Sequence, residues 1–261
     1  MQSIEKVVLI GSGNVATQLA HLLIQKGLDI LQVYSLHIDP AKQLAAFAES
    51  EAIDSIDGIR KDADLYIIAV KDDTISEINT RLRLPGKLVV HTSGAVNLES
   101  ISQVSDNTGV FYPLQTFGKT RNVDWQVTPI IIEASNPDTL QLLKQFAEGI
   151  SGSVVEMDST SRKRLHLAAV FANNFVNHLL GEAKEILGEG IPLSILEPLV
   201  RETIDKAFSQ GIEASQTGPA IRHDVKTIEA HMALLEKLPD AQKIYRVITD
   251  SIIRKYRGNH S

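Results

Sequence analysis

The sequence predicts an α/β fold in two parts: a doubly wound, mostly parallel sheet in the N-terminal portion and an all-α domain after it. Three observations carry this. Short Val/Ile/Leu runs alternate with helix-period segments through the first 157 residues. A glycine-rich turn joins the first such run to the first helical segment. Beyond about residue 158 the strand signals stop and only long helical patterns remain. Near-continuous apolar runs separated by helices imply βαβ units whose strands are covered on both faces.

In chain order, strand-like runs fall at 6–10, 30–35, 65–70, 88–91, 109–112 and 129–133, with a weaker one at 153–156. Helical patterns lie between the early runs at 14–26, 41–49, 74–82 and 98–104. The second part reads as helices at 160–187, 194–210, from about 219 to 235, and 241–255. Gly188, Gly190 with Pro192, Gly211, Gly218-Pro219 and Pro239 punctuate them as stops and starts. No internal repeat or low-complexity tract interrupts the pattern. The predicted domains are 1–157 and 158–261.

Composition narrows the function. The chain has 261 residues, 43% hydrophobic and 22% charged, which excludes whole-chain disorder. A net charge of −6 argues against sequence-independent nucleic-acid binding, which needs a basic excess. Residues 1–155 hold 12 basic and 18 acidic side chains, and the remainder holds 14 of each. With no cysteine, disulfide scaffolds, thiolate metal sites and thiol catalysis are excluded. The first eight residues are too short and too charged for a signal peptide, and no apolar run approaches the roughly 18 residues of a membrane span. The expectation is a cytoplasmic protein without membrane or nucleic-acid partners.

Val7 to Ile10 run straight into Gly11-Ser12-Gly13-Asn14-Val15-Ala16, and a helix follows. This is the G-x-G-x-x-A turn of a Rossmann domain in its required strand–turn–helix setting. Gly11 permits the tight turn, Gly13 lets a pyrophosphate approach the backbone, and Ala16 keeps the helix close to the sheet. The helix N-terminus offers amides and partial positive charge to the phosphates. A tight structural turn, or a different nucleotide, is the competing reading. The second run ends in Ser35-Leu36-His37 without the carboxylate that holds the ribose 2′-hydroxyl of NAD. A 2′-phosphate is therefore not repelled, and Ser35, His37 and Lys42 are placed to contact it. NADP is mildly preferred, with NAD still open because the usual Arg is absent.

Ligands of open parallel sheets lie beyond the carboxyl ends of the strands. Val70 and Lys71 thus become cofactor-lining candidates, while Asp72, Asp73 and Thr74 read more simply as a helix start. His91 and Thr92, followed by Ser93-Gly94, end another run; Tyr112-Pro113-Leu114-Gln115-Thr116-Phe117 ends the next. Both should border the nicotinamide, although His91 can equally be a hydrogen-bonded strand-end residue. On the helix from Arg162, about 100° per residue brings His166, Asn173 and Asn177 within about 40° of one another. From His166 to Gly181 there is no Asp, Glu, Lys or Arg. A neutral polar stripe on a buried helix suggests an interdomain cleft; core amides or a dimer seam would give the same pattern. Arg222, near a helix start after Gly218-Pro219, is placed for an anionic group, or for a surface pair with Asp224. His223 and His231 lack companions, so no metal site is predicted.

Together, the G-x-G-x-x-A turn, His-Thr-Ser-Gly (91–94), Tyr-Pro-Leu-Gln-Thr-Phe (112–117), His166 with Asn173-Asn174, and Thr-Gly-Pro-x-x-Arg-x-Asp (217–224) carry a resemblance over essentially the whole chain. It resembles bacterial Rossmann-like proteins with an uncharacterised helical C-terminal domain, commonly labelled NADP oxidoreductases and related to pyrroline-5-carboxylate reductase and 3-hydroxyacid dehydrogenases. The resemblance implies the two-domain fold and a homodimer formed through the helical domain. Two departures stand out. Leu36-His37 replaces an Arg common after the second strand, and Lys163 is followed four residues on by Leu167 rather than Asn. The lysine-based proton transfer of the hydroxyacid dehydrogenases is therefore not carried over.

The expected function is hydride transfer between NADP(H) and a small carbonyl or imine compound in the interdomain cleft. His166 is the expected proton donor or acceptor, Asn173 the orienting group and Arg222 the carboxylate contact. The rivals are a non-catalytic nucleotide-sensing dimer and hydride exchange with a deazaflavin.

Overall fold

The computed structural model describes residues 4–118 and 123–256. Residues 1–3 of the leader reading lie outside them. The chain divides into two compact units, Met1–Ala169 and Val170–Ser261.

The first unit runs β1 (Lys6–Ile10), α1 (Asn14–Gln25), β2 (Asp29–Tyr34), α2 (Ile38–Phe47), β3 (Glu51–Ile53), β4 (Leu65–Ile68), α3 (Ile75–Arg81), β5 (Leu88–His91), β6 (Asn107–Pro113), β7 (Ile130–Ala134), α4 (Pro137–Glu148), β8 (Val154–Glu156) and α5 (Ser159–Ala169). All eight strands form one sheet in the order β3-β2-β1-β4-β5-β6-β7-β8. Every neighbouring pair is parallel except β6 with β7. The order reverses direction between β1 and β4, which makes that crevice the topological switch point.

Residue alternation distributes the core over two faces. Val7 and Leu9 pack with Ala16, Leu19, Ala20 and Leu23 of α1. Val8 and Ile10 face the other way, onto Ile75 and Ile78 of α3 and onto Ile101. Because both faces are covered, the strands read as unbroken apolar runs, and the spacing 16, 19, 20, 23 gives α1 its buried stripe. Behind β6, Trp125 is almost buried and its ring lies 5.8 Å from that of Phe117. Asn136 caps α4 by accepting from the Thr139 amide at 2.8 Å, with Pro137 in the first turn.

The unit continues past the 157/158 boundary read from the sequence. Strand character does end at Glu156, but α5 is tied to the sheet by Arg162, which is completely buried. Other local readings shift as well. β3 is an additional strand, α4 an additional helix, and the segment read as a helix over 98–104 is one 3-10 turn, Leu98–Ile101.

The second unit comprises a π-helical stretch, Val170–Phe175, then α6 (Val176–Leu187), α7 (Glu197–Gln210), α8 (Ile212–Ser215), α9 (Val225–Leu234) and α10 (Pro239–Tyr256). Gly188 and Gly211 end α6 and α7 with φ of 67° and 92°, a region other residues rarely adopt. Asp224 caps α9 through the Thr227 amide. Among the described residues the unit buries Ala220, Leu235, Ala241, Thr249 and Tyr256, while Phe171, Phe175, Leu199, Phe208 and Leu234 stay exposed.

Candidate functional site

The turn after β1 is built around Gly11, whose φ is 129°. A Cβ there would run into the Ala69 carbonyl oxygen and sit 3.3 Å from Val70, so both backbone shape and close approach demand glycine. Gly13 is different: a Cβ would meet nothing within 4 Å. Gly13 is also the N-cap of α1, with no side chain capping the helix and no acidic residue in its first turn. The first amides of α1 thus have no side-chain cap, and the backbone at Gly13 is open to approach at the switch point, an arrangement that suits a diphosphate. Ala16 is fully buried against the sheet, and Val15 packs on the same core.

Around this loop the polar side chains already have partners. The Ser12 hydroxyl donates to the Ser35 hydroxyl at 2.9 Å, bringing the turn after β1 to the end of β2. Asn14 donates to the Phe117 carbonyl at 3.0 Å and Gln18 to the Gly118 carbonyl at 2.6 Å, so the segment after β6 is tied to α1. His37, at the N-cap of α2, is exposed, as is Lys42 on that helix. Val70 is half-buried beside Gly11, and Lys71 is exposed.

His91 and Thr92 sit deeper than a ligand-lining role requires. His91 is completely buried; its Nδ1 accepts the Ser93 amide at 3.2 Å. Burial, assisted by the positive charge of Arg162, pushes its pKa down to about 3, so it is a neutral interior group. The Thr92 amide donates to the Ile68 carbonyl. Of the two readings left open for His91, this geometry is that of the hydrogen-bonded strand-end residue.

The chemistry-bearing cluster lies on the next strand along the same carboxyl edge. His91 pairs with Val110, so Tyr112 shares its sheet face. The Tyr112 hydroxyl lies 3.0 Å from Nδ1 of His166 on α5, with the rings nearly edge-on. Gly94 lies directly beneath: a Cβ there would come within 2.6 Å of that Nδ1 and 2.7 Å of the Tyr112 ring. Burial pushes the Tyr112 phenol above its ordinary value, Arg162 opposes the shift and Asp72 adds to it, so the hydroxyl keeps its proton at neutral pH.

One helical turn before His166, Arg162 fixes α5. It donates to the Ser93 and Val96 carbonyls at 2.9 and 2.7 Å, to the Glu133 carboxylate at 2.9 Å and to the Ser159 hydroxyl at 2.9 Å. Glu133 in turn accepts the Ser159 amide and hydroxyl. The two terminal nitrogens are thus satisfied, while the buried Nε has no partner; a buried ion pair of this kind depends on such added hydrogen bonds. Sequence reasoning missed Arg162 and Glu133 and gave Tyr112 no specific role. The available signal was a lone carboxylate closing an apolar run, Ile130 to Glu133.

Asn173 and Arg222 belong to the second unit. Asn173 falls in the π-helical stretch, whose wider turn breaks the 100° count used to align it with His166. Phe171 through Leu179 are all exposed in the single chain, so the stripe expected on a buried helix is uncovered there. Arg222 is exposed, and α9 begins at Val225 behind its Asp224 cap rather than at Pro219. The positive charge of Arg222 helps hold the Asp224 carboxyl below its usual range, after the hydrogen bonds from Thr227. Among the described residues no cluster could hold a metal ion, and no helix is long and apolar enough to cross a membrane.

Comparison with known proteins follows the same two parts. Residues 6–94 match the family described as NADP oxidoreductase coenzyme F420-dependent, and residues 128–252 match a domain of unknown function, DUF2520. A structure described as a "putative NADP oxidoreductase" from Bacteroides fragilis is 38% identical over 96% of this chain and 98% of its own, with a TM-score of 0.89. Protein TM1727 from Thermotoga maritima is 24% identical over 96% and 98%, with a TM-score of 0.77. A reductive aminase from Aspergillus terreus, in complex with NADPH and ethyl-5-oxohexanoate, shares the fold at 14% identity, 99% and 97% coverage, and a TM-score of 0.74. No curated protein matches.

Proposed function

We propose, since the chain belongs to the family of the Bacteroides fragilis protein, in which a Rossmann NADP-oxidoreductase domain is joined to a DUF2520 domain, that it reduces a small carbonyl or imine compound with NADPH. The observation that carries the cofactor part is the uncapped start of α1, with Gly13 facing open space at the switch point. Gly11 through Ala16 would hold the diphosphate. Ser35, His37 and Lys42 would receive the 2′-phosphate, where no carboxylate repels it. Val70 and Lys71 would line the side nearer the nicotinamide, with His91 and Thr92 backing it from the sheet. When bound, the cofactor supplies hydride.

The chain's own residues do the rest. His166 delivers the proton to the substrate oxygen or nitrogen through the ring nitrogen that Tyr112 leaves unoccupied. Asn173 orients the substrate and Arg222 takes a carboxylate, if the substrate has one. The protein works in the cytoplasm as a homodimer through the helical unit, in which Phe171, Phe175 and Phe208 are exposed in the single chain and available for a second copy to cover.

Calorimetric titration with NADPH and NADH, followed by a panel of carbonyl and imine substrates, tests this reading. Absence of binding at millimolar NADPH would sink it. Binding without turnover of any substrate would favour the nucleotide-sensing dimer instead.

A further inference from the structure

We propose that Tyr112 is the positioning residue for His166: it occupies Nδ1 and leaves Nε2 as the nitrogen that exchanges the proton. The 3.0 Å contact joins residues 54 apart in sequence, one at the end of β6 and one on α5. When the imidazole is neutral, the phenol donates to Nδ1, and the ring hydrogen is confined to Nε2. When the imidazole is protonated, Nδ1–H donates to the phenol oxygen, and Nε2–H is again the nitrogen left over. In both states the phenol itself stays protonated, since the desolvation that raises its pKa is built into its position.

Gly94 is a second, independent sign that the pair is a built feature. Its φ is not in the left-handed region, so the turn itself tolerates other residues. What excludes a side chain is the space taken by the His166 imidazole at 2.6 Å and the Tyr112 ring at 2.7 Å. The lock formed by Arg162, Glu133 and Ser159 then fixes α5 one turn away, so the imidazole is restrained by its own helix and by the sheet. Arg162 and Asp72 are the charged groups that act on the phenol.

In the reductive direction, the Nε2–H bond of the imidazolium breaks as a new N–H or O–H bond forms on the substrate. The electron pair left on Nε2 gives the neutral imidazole, and the hydride comes from the reduced nicotinamide. The ring left behind still carries its hydrogen on Nδ1, donated to the phenol oxygen, and Nε2 takes its next proton from solvent before the resting Nε2–H tautomer returns. This use of the proton rests on the oxidoreductase reading; the tautomer assignment does not.

The test is nitrogen-15 NMR of the full-length, cofactor-free chain, at a pH well above the ordinary histidine range. His166 should carry its hydrogen on Nε2 with the other tautomer undetectable. Tyr112→Phe should bring the Nδ1–H tautomer into view, moving the ratio towards that of a free imidazole. Should Tyr112→Phe fail to fold, Gly94→Ala carries the same expectation, because it forces the two rings apart. An identical tautomer ratio in wild type and variant, or a wild-type hydrogen on Nδ1, would overturn the proposal. Where turnover is found, Tyr112→Phe should lower kcat about tenfold or more and leave KM for NADPH within about twofold. An unchanged kcat also overturns it. A chain with the expected tautomers but no turnover on any substrate would remove the oxidoreductase reading and leave the positioning role standing.

Discussion

Phe111 in the first unit and Phe208 in the second are the same side chain in opposite situations: one is 0% exposed and the other 91%. Phe111 lies on a strand covered on both faces and touches the ring of Phe146 on α4. Phe208 sits near the end of α7 with water around it. Burying such a ring is worth about 1.5–3 kcal/mol, so the first unit has collected this term many times over, and the second has left much of it uncollected. The difference teaches where each unit gets its order. The first is stabilised by its own two-faced core and can hold Tyr112 and His166 in fixed geometry. The second displays an apolar surface of the kind that a partner normally completes.

The contrast can be broken most forcefully from within the first unit. Arg162→Ala leaves the Glu133 carboxylate without its buried counter-charge and should cost about 3–5 kcal/mol in denaturant unfolding. A loss below about 1 kcal/mol would mean that α5 is not anchored as described. From the other side, Phe208→Glu should leave the first unit folded but weaken self-association by about 2 kcal/mol, or roughly thirtyfold, in sedimentation equilibrium. A wild-type chain that is monomeric at every concentration would break the comparison at its root.

Smaller effects sharpen it within the first unit. Gly13→Ala has room for its methyl group, so thermal stability should hold while NADPH affinity falls about tenfold, or about 1.4 kcal/mol. Gly11→Ala, which collides with backbone, should unfold the turn instead; equal melting temperatures for the two variants would contradict this difference. The smallest effect is on pH. His91 has a folded pKa of about 3, against about 6.5 when unfolded. The unfolded chain therefore binds more protons between those values. The contribution of His91 to stability is complete above about pH 6.5 and declines as the pH falls towards 3. By about pH 6 the loss should be about 0.8 kcal/mol, and His91→Asn should remove that share of the slope.

How far the sequence could be read followed the range of the interactions. β1 and the turn at Gly11 were legible because strand, glycines and helix are consecutive, and because two covered faces leave an unbroken apolar run. β3 was not, since the three residues Glu51 to Ile53 carry no period. The alignment of His166 with Asn173 assumed a uniform helical turn, and the π-helical stretch at Val170 breaks that assumption without a compositional mark. Arg222 was set at a helix start because Gly218-Pro219 resembles one, whereas Asp224 caps the helix six residues later. The Tyr112–His166 contact and the Arg162–Glu133 pair were invisible for another reason: only the closed sheet brings those residues together.

Trp125 is the chain's one tryptophan, and it lies in the first unit, stacked near Phe117, whose carbonyl is held by Asn14 beside the phosphate loop. Its emission therefore reports on the core of that unit. Loss of the sheet's core will shift the indole spectrum. The same indole lies one contact behind the loop that would grip a dinucleotide. A single natural chromophore thus follows, without any label, both the melting of the first unit's core and events at that loop.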